Sequence, residues 1–148
     1  MTPIRTIALW NKAVMTANRH NGEQVFCIIR RRYVSLTPEE RVRQDLIAFL
    51  INQMHYPQTL ISVEAQIKVG KLNKRYDAVV YTPDWQPWLL IECKQPEVEL
   101  SPSTISQILS YNLTIQAPYL LITNGLKHFC ISTSDNRQLP SLPPYPTL

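Results

Sequence analysis

The chain has 148 residues, 45% of them apolar, enough for one domain with its own core. Its formal charge of +4 leans toward an anionic partner without requiring one. No run is long and apolar enough to span a membrane, no signal peptide is read behind Met1, and Cys27, Cys93 and Cys130 lack metal-site spacing, so a cytoplasmic protein with reduced thiols and no membrane association is expected.

Residues 1–22 show no strong period and end in the turn pair Asn21-Gly22, which predicts an arm, loosely packed or with a short helix. Gln24 to Ile29 reads as a strand. Six basic residues precede residue 35 against Glu23 alone, and the run Arg30-Arg31-Arg32 is either a solvated strand end or a contact to a phosphate backbone. Thr37, Pro38 and Glu40 form a helix start with capping-box spacing, and Val42, Leu46, Phe49 and Leu50 continue it at helical period, predicting a helix over 38–54.

Leu60 to Val69 alternates, with Ile61, Val63, Ala65, Ile67 and Val69 on one face, as a half-buried strand does. Gly70 to Asn73 turns into a second strand through Arg75 and Tyr81. A third, from Trp88 to Lys94, completes a meander after the turn-rich connector Thr82 to Pro87. Ser101 and Pro102 open a second helix with Ile105, Ile108, Leu109 and Asn112 inward. Strands at Tyr119 to Thr123 and His128 to Ser132 follow, joined by the hairpin signal Asn124-Gly125. With Pro140, Pro143, Pro144 and Pro146, the segment 136–148 is expected to be an extended tail outside the core, leaving 23–135 as the domain.

The meander holds the informative residues. If Tyr81 faces Trp88, the antiparallel register sets Asp77 opposite Glu92, with β-carbons roughly 5 Å apart, and two like charges so placed destabilise the pair. A cation between them would turn that liability into a site. Glu92 follows Leu89-Leu90-Ile91, a run too apolar for a surface strand, and a buried carboxylate must be paired or hold a metal. Lys94 shares its face about 6.6 Å farther along. Singly, Asp77 reads as a structural carboxylate and Glu92 as an ion-pair partner of Lys94 or Arg75. Glu64 reads as solvated or paired, Trp88 as core, and Trp85 as a cover for the hairpin.

An Asp followed by Glu-x-Lys on adjacent strands resembles the PD-(D/E)XK nuclease superfamily. The set formed by Thr37 to Gln44, Val63-Glu64, Arg75-Tyr76-Asp77, Ile91-Glu92-Cys93-Lys94, Gln107-Ile108, Tyr111-Asn112 and Thr123-Asn124-Gly125 narrows it. It is similar to the N-terminal nuclease domain of type I restriction enzyme R subunits, in a short stand-alone form covering roughly residues 24–133. No helicase motor is read after it, so ATP-driven translocation is not expected.

The resemblance implies an α/β restriction-endonuclease-like fold, a central mixed sheet of about five strands flanked by helices, and Mg²⁺- or Mn²⁺-dependent hydrolysis of DNA. On that basis Asp77, Glu92 and the backbone carbonyl of Cys93 would ligate the ion, and Lys94 would orient or deprotonate the attacking water. Gln107 and Tyr111 would bring an amide and a phenol to the rim; by spacing alone they are equally an ordinary polar helix face. Glu39, four residues before Arg43 as in the family pattern, either completes the metal shell or complements the helix dipole. Arg30, Arg31, Arg32 and Arg43 are the candidate DNA contacts. So short a chain is expected to need a second copy or a partner protein to grip DNA. A catalytically silent nucleic-acid-binding or adaptor module on the same fold is the alternative.

Overall fold

The computed structural model describes residues 16–19, 22–112 and 115–146. It is an α/β structure with nine strands and two α-helices among these residues: β1 (Thr16–Arg19), β2 (Gly22–Cys27), β3 (Arg32–Ser35), α1 (Pro38–Asn52), β4 (Ile61–Val69), β5 (Leu72–Tyr81), β6 (Pro87–Cys93), α2 (Pro102–Asn112), β7 (Tyr119–Thr123), β8 (His128–Ser132) and β9 (Arg137–Leu139). The main sheet has six strands in the order β4-β5-β6-β7-β8-β9. All neighbours are antiparallel except β6 and β7, which run parallel with α2 in the crossover between them. A separate antiparallel sheet joins β1, β2 and β3. Strands at β1, β3 and β9 lie where the sequence pattern predicts none, and the remainder of the expected arm falls outside the described residues.

Helix α1 starts as its sequence predicts. Thr37 Oγ1 accepts the Glu40 N–H at 3.0 Å, and Pro38 occupies the first turn where its missing N–H costs nothing. The reciprocal half of the capping box does not form, because the Glu40 carboxylate turns inward to other partners. Alternation along the sheet splits the core in two. Val42, Leu46 and Leu50 of α1 pack with Ala78, Val80, Leu89 and Ile91 on one face. Ile105 of α2 packs with Tyr76, Val79, Leu90 and Ile122 on the other.

Three local features shape the region around Asp77. The β5–β6 register is the expected one from Ala78↔Ile91 to Val80↔Leu89, and an irregularity then pairs Tyr81 with Pro87 instead of Trp88. Asp77 and Glu92 are the next residues beyond Ala78↔Ile91 on that register. Along β4 the paired ladder skips Glu64↔Asp77, and Glu64 has φ +54, a left-handed conformation uncommon for a side chain other than glycine. There the strands exchange faces: Ile61 packs on the α1 side, whereas Ala65 and Ile67 pack on the α2 side, correcting the single apolar face expected for β4.

The Pro-rich segment is not an outlying tail. Residues of β9 pair with β8, Leu142 is buried, Pro143 O accepts a hydrogen bond from Tyr56 Oη at 2.5 Å, and Tyr145 Oη donates to Tyr81 O at 2.8 Å. Proline lacks an N–H, but its carbonyl remains an acceptor, and the side chains between the prolines supply apolar surface. Tyr145 and Tyr56 enclose Trp88 together with Tyr119.

Candidate active site

The candidate site forms where β5 and β6 end their pairing, beneath the first turns of α1. Asp77 is anchored through both carboxylate oxygens. Its Oδ2 accepts the Cys93 N–H at 2.6 Å, and its Oδ1 accepts from Arg43 Nη2 at 3.1 Å. The position of Cys93 is set in turn by parallel pairing with Thr123, whose carbonyl accepts the Lys94 N–H at 2.8 Å. Asn124 braces the following turn by accepting from the Leu126 and Lys127 N–H groups. The end of β7 thereby fixes the backbone that carries Cys93 and Lys94.

Glu92 sits beside this anchored carboxylate. Burial pushes its carboxyl up to about 8, the Asp77 charge adds to the rise, and the nearby Lys94 ammonium opposes it. Its Oε1 is buried with no hydrogen-bond partner. An acceptor stripped of water without a partner is costly in a folded protein and calls for an unseen proton or cation. Glu39, in the first turn of α1, faces the same place: burial raises its carboxyl and Asp77 raises it further, while Arg43 and Lys94 lower it.

The arginines expected at a phosphate backbone behave differently from one another. Arg43 is buried at 6% exposure and contacts Glu40, Asp77, Glu39 and Glu64 at 3.2, 3.1, 3.7 and 3.7 Å. Arg30 also turns inward, meeting Glu40 at 2.7 Å and Glu64 at 3.5 Å. Both guanidinium groups are thus neutralised within the protein rather than offered to DNA, and buried charges of this kind are tolerated only in such pairs. Arg31 and Arg32 remain exposed. Glu40 and Gln44, joined at 3.1 Å, are the network members to which sequence reading gives no role in the site, Glu40 being read only as a capping-box residue. The spacing of Glu40 from Arg43 and Gln44, three and four residues, is the one signal that could have shown it.

A cleft of about 500 Å³ opens along this network, lined in part by Glu39, Arg43, Glu64 and Gln95. Gln107 is exposed on α2, and no hydrogen bond or ion pair joins it to Asp77, Glu92 or Lys94 among the described residues. The Tyr111 side chain lies outside the described residues. No three His, Cys, Asp or Glu side chains converge as a ligand set among the described residues. That is no obstacle to a Mg²⁺-type ion, which binds through one or two carboxylates and keeps several waters. The orphaned Glu92 oxygen beside Asp77 fits such an ion.

Residues 38–146 match the family model of the type I restriction enzyme R protein N terminus. The chain belongs to that family. Membership places it among restriction-endonuclease-like PD-(D/E)XK domains, and the matched span runs through β9 and the Pro-rich segment. No curated protein matches the chain. Among solved structures, a candidate nuclease belonging to DUF820 from Anabaena variabilis ATCC 29413 aligns at 11% identity with a TM-score of 0.46, covering 74% of this chain and 72% of that one. Among the described residues, no helix of this family member is long and apolar enough to cross a membrane.

Proposed function

We propose that the chain is a metal-dependent nuclease that hydrolyses DNA phosphodiester bonds with Mg²⁺ or Mn²⁺. The observation that carries this reading is a half-buried carboxylate with one buried, orphaned oxygen, Glu92, set beside a carboxylate anchored through both its oxygens, Asp77, with Lys94 within electrostatic reach. Asp77, Glu92 and the Cys93 carbonyl would hold the ion, with Glu39 nearby as a further oxygen donor. The ion would supply charge at the scissile phosphate and lower the pKa of a bound water.

The remaining work falls to the chain itself. Arg43 and the Cys93 N–H hold Asp77 in one orientation, so little side-chain entropy is lost on ligation. Lys94, on a backbone tied to Thr123, adds positive charge where negative charge gathers in the transition state and can orient the attacking water.

The test is incubation of the purified protein with plasmid and with single-stranded DNA, in Mg²⁺, in Mn²⁺ and in EDTA, beside Asp77→Ala and Lys94→Ala. Cleavage should need the ion and both side chains. Cleavage that survives either substitution would overturn the assignment. Salt-sensitive DNA binding without any metal-dependent product would leave a silent binding module.

A further inference from the structure

Beyond the candidate site, the sheet continues as a two-stranded ribbon. β5 pairs with β6 only from Ala78 to Tyr81, whereas β4 and β5 stay paired down to Val69↔Leu72. The strands are joined by Gly70 and Lys71 alone. Gly70 has φ +60 and Lys71 has none of the positive φ seen elsewhere, the pattern of a type II′ turn, in which glycine takes the first position. From Gln66 to Arg75 the ribbon carries Lys68, Lys71, Lys74 and Arg75 and no acidic residue.

The register sorts these side chains. Ala65 and Tyr76, paired across the ribbon, are buried in the α2-side cluster. The pairs Gln66↔Arg75 and Lys68↔Asn73 therefore point the other way, and all four are exposed. Glu64 and Asp77 lie on that same face, since both reach Arg43 of α1. Arg75 is two residues from Asp77, about 6.6 Å along the strand, and Lys71 is six away, about 20 Å. Lys68, Lys71 and Arg75 pair with no carboxylate among the described residues, in contrast to Arg30 and Arg43.

We propose that this ribbon face is the duplex-DNA-binding surface of the site, carrying the helix away from Asp77 past Arg75 and Lys68 to Lys71 at the tip. The proposal rests on the nuclease reading for its partner and names a basic face that Arg30 and Arg43, both paired inside the fold, do not supply. A two-stranded ribbon fits the major groove of B-DNA, about 12 Å wide, whereas the deep, narrow major groove of RNA excludes it. Lys68 and Lys71 meet phosphates. Arg75, Asn73 and Gln66 are the side-chain types that bond base edges, Arg to guanine and Asn or Gln to adenine. A reach of about 20 Å corresponds to about six base pairs at 3.4 Å each.

The experiment compares the parent with the triple variant Lys68→Ala, Lys71→Ala, Arg75→Ala and with the double variant Gln66→Ala, Asn73→Ala. Fluorescence anisotropy follows binding to a labelled 20-base-pair duplex and to its single strand, in EDTA, from about 50 to 200 mM salt. The triple variant should bind duplex at least tenfold more weakly, with a log K against log salt slope shallower by about 2 to 3. Its melting temperature and its stabilisation by Mn²⁺ should match the parent. The double variant should keep the salt slope while narrowing the preference among duplex sequences. Unchanged duplex affinity and slope in the triple variant would overturn the proposal, as would a parent that binds single strand tighter than duplex. The two readings separate cleanly: Mg²⁺-dependent cleavage undiminished in the triple variant sinks the ribbon alone. Ribbon-dependent binding with no cleavage sinks the nuclease alone.

Discussion

Glu92 concentrates the energetic tension of the site. Its carboxyl is pushed up to about 8 from an ordinary 4.5, by burial first and Asp77 second, so between those values the folded chain keeps a proton that the unfolded chain has lost. In EDTA, stability should accordingly be fully present below about pH 4.5 and decline as pH rises through about 8, by on the order of a few kcal/mol. Glu92→Gln should flatten that decline, equalling or exceeding the parent at pH 8 while losing most of the rise in melting temperature that Mn²⁺ produces. Denaturant melts in EDTA at pH 5, 7 and 8.5 check the first half, and thermal melts with and without Mn²⁺ check the second. A variant weaker than the parent in EDTA that keeps the full metal response would place the ion elsewhere. His128 acts with the opposite sign. Burial lowers it to about 4 from 6.5, so stability present above pH 6.5 is lost as pH falls toward 4, and His128→Asn should remove that acid limb.

At the scale of elements, α1 is joined to the sheet by charge as much as by apolar packing. Arg43 ties Glu40 of its own helix to Asp77 of β5, and Arg30 ties the β2–β3 turn to the same Glu40. Arg43→Ala would leave buried carboxylates uncompensated, at a cost of about 3–5 kcal/mol in urea unfolding. Arg43→Lys should recover only part of it, because an ammonium cannot reproduce the guanidinium fork that meets Asp77 and Glu40 together. The β7–β8 turn meets α1 at Val42, next to Arg43. Gly125 has φ +87, and a β-carbon there would stand 3.0 Å from Val42 Cγ2. Gly125→Ala should therefore cost about 1 kcal/mol or more from the backbone alone, and pairing it with Val42→Ala should not restore the parent, since the φ strain persists.

For the whole molecule, the C-terminal segment closes the core that the meander opens. Leu142 joins the α1-side cluster, and Tyr145 and the Pro143 carbonyl engage Tyr81 and Tyr56. Removing residues 140–148 exposes Trp88 and Tyr56 and leaves the Tyr56 hydroxyl unpaired. Thermal melting should show a loss of several kcal/mol, against about 1 kcal/mol for Tyr56→Phe, which removes the hydroxyl and its need for a partner together. A truncated chain that melts with the parent would show the segment to be an ornament of the fold.

Local and short-range chemistry was enough to read much of this protein from its residues. Thr37 and Pro38 with the apolar period define the start of α1, Asn124-Gly125 joins β7 to β8, and the apolar run before Glu92 marks it as a carboxylate drawn partly into the sheet on the register of Asp77. These signals depend on neighbours within a few residues or on one hairpin. Other features depend on contacts between distant segments. Arg30 and Arg43 look like Arg31 and Arg32 in sequence, and only the approach of Glu40, Glu64 and Asp77 turns two of the four inward. The exchange of faces at Glu64 is invisible to a strand whose alternation is unbroken. The length of the β4–β5 ribbon follows from where β6 stops pairing, and the docking of the Pro-rich segment from surfaces more than 60 residues away. Charge and hydrophobicity belong to the residue, whereas whether a charge is spent inside the fold or left for a partner belongs to the packing.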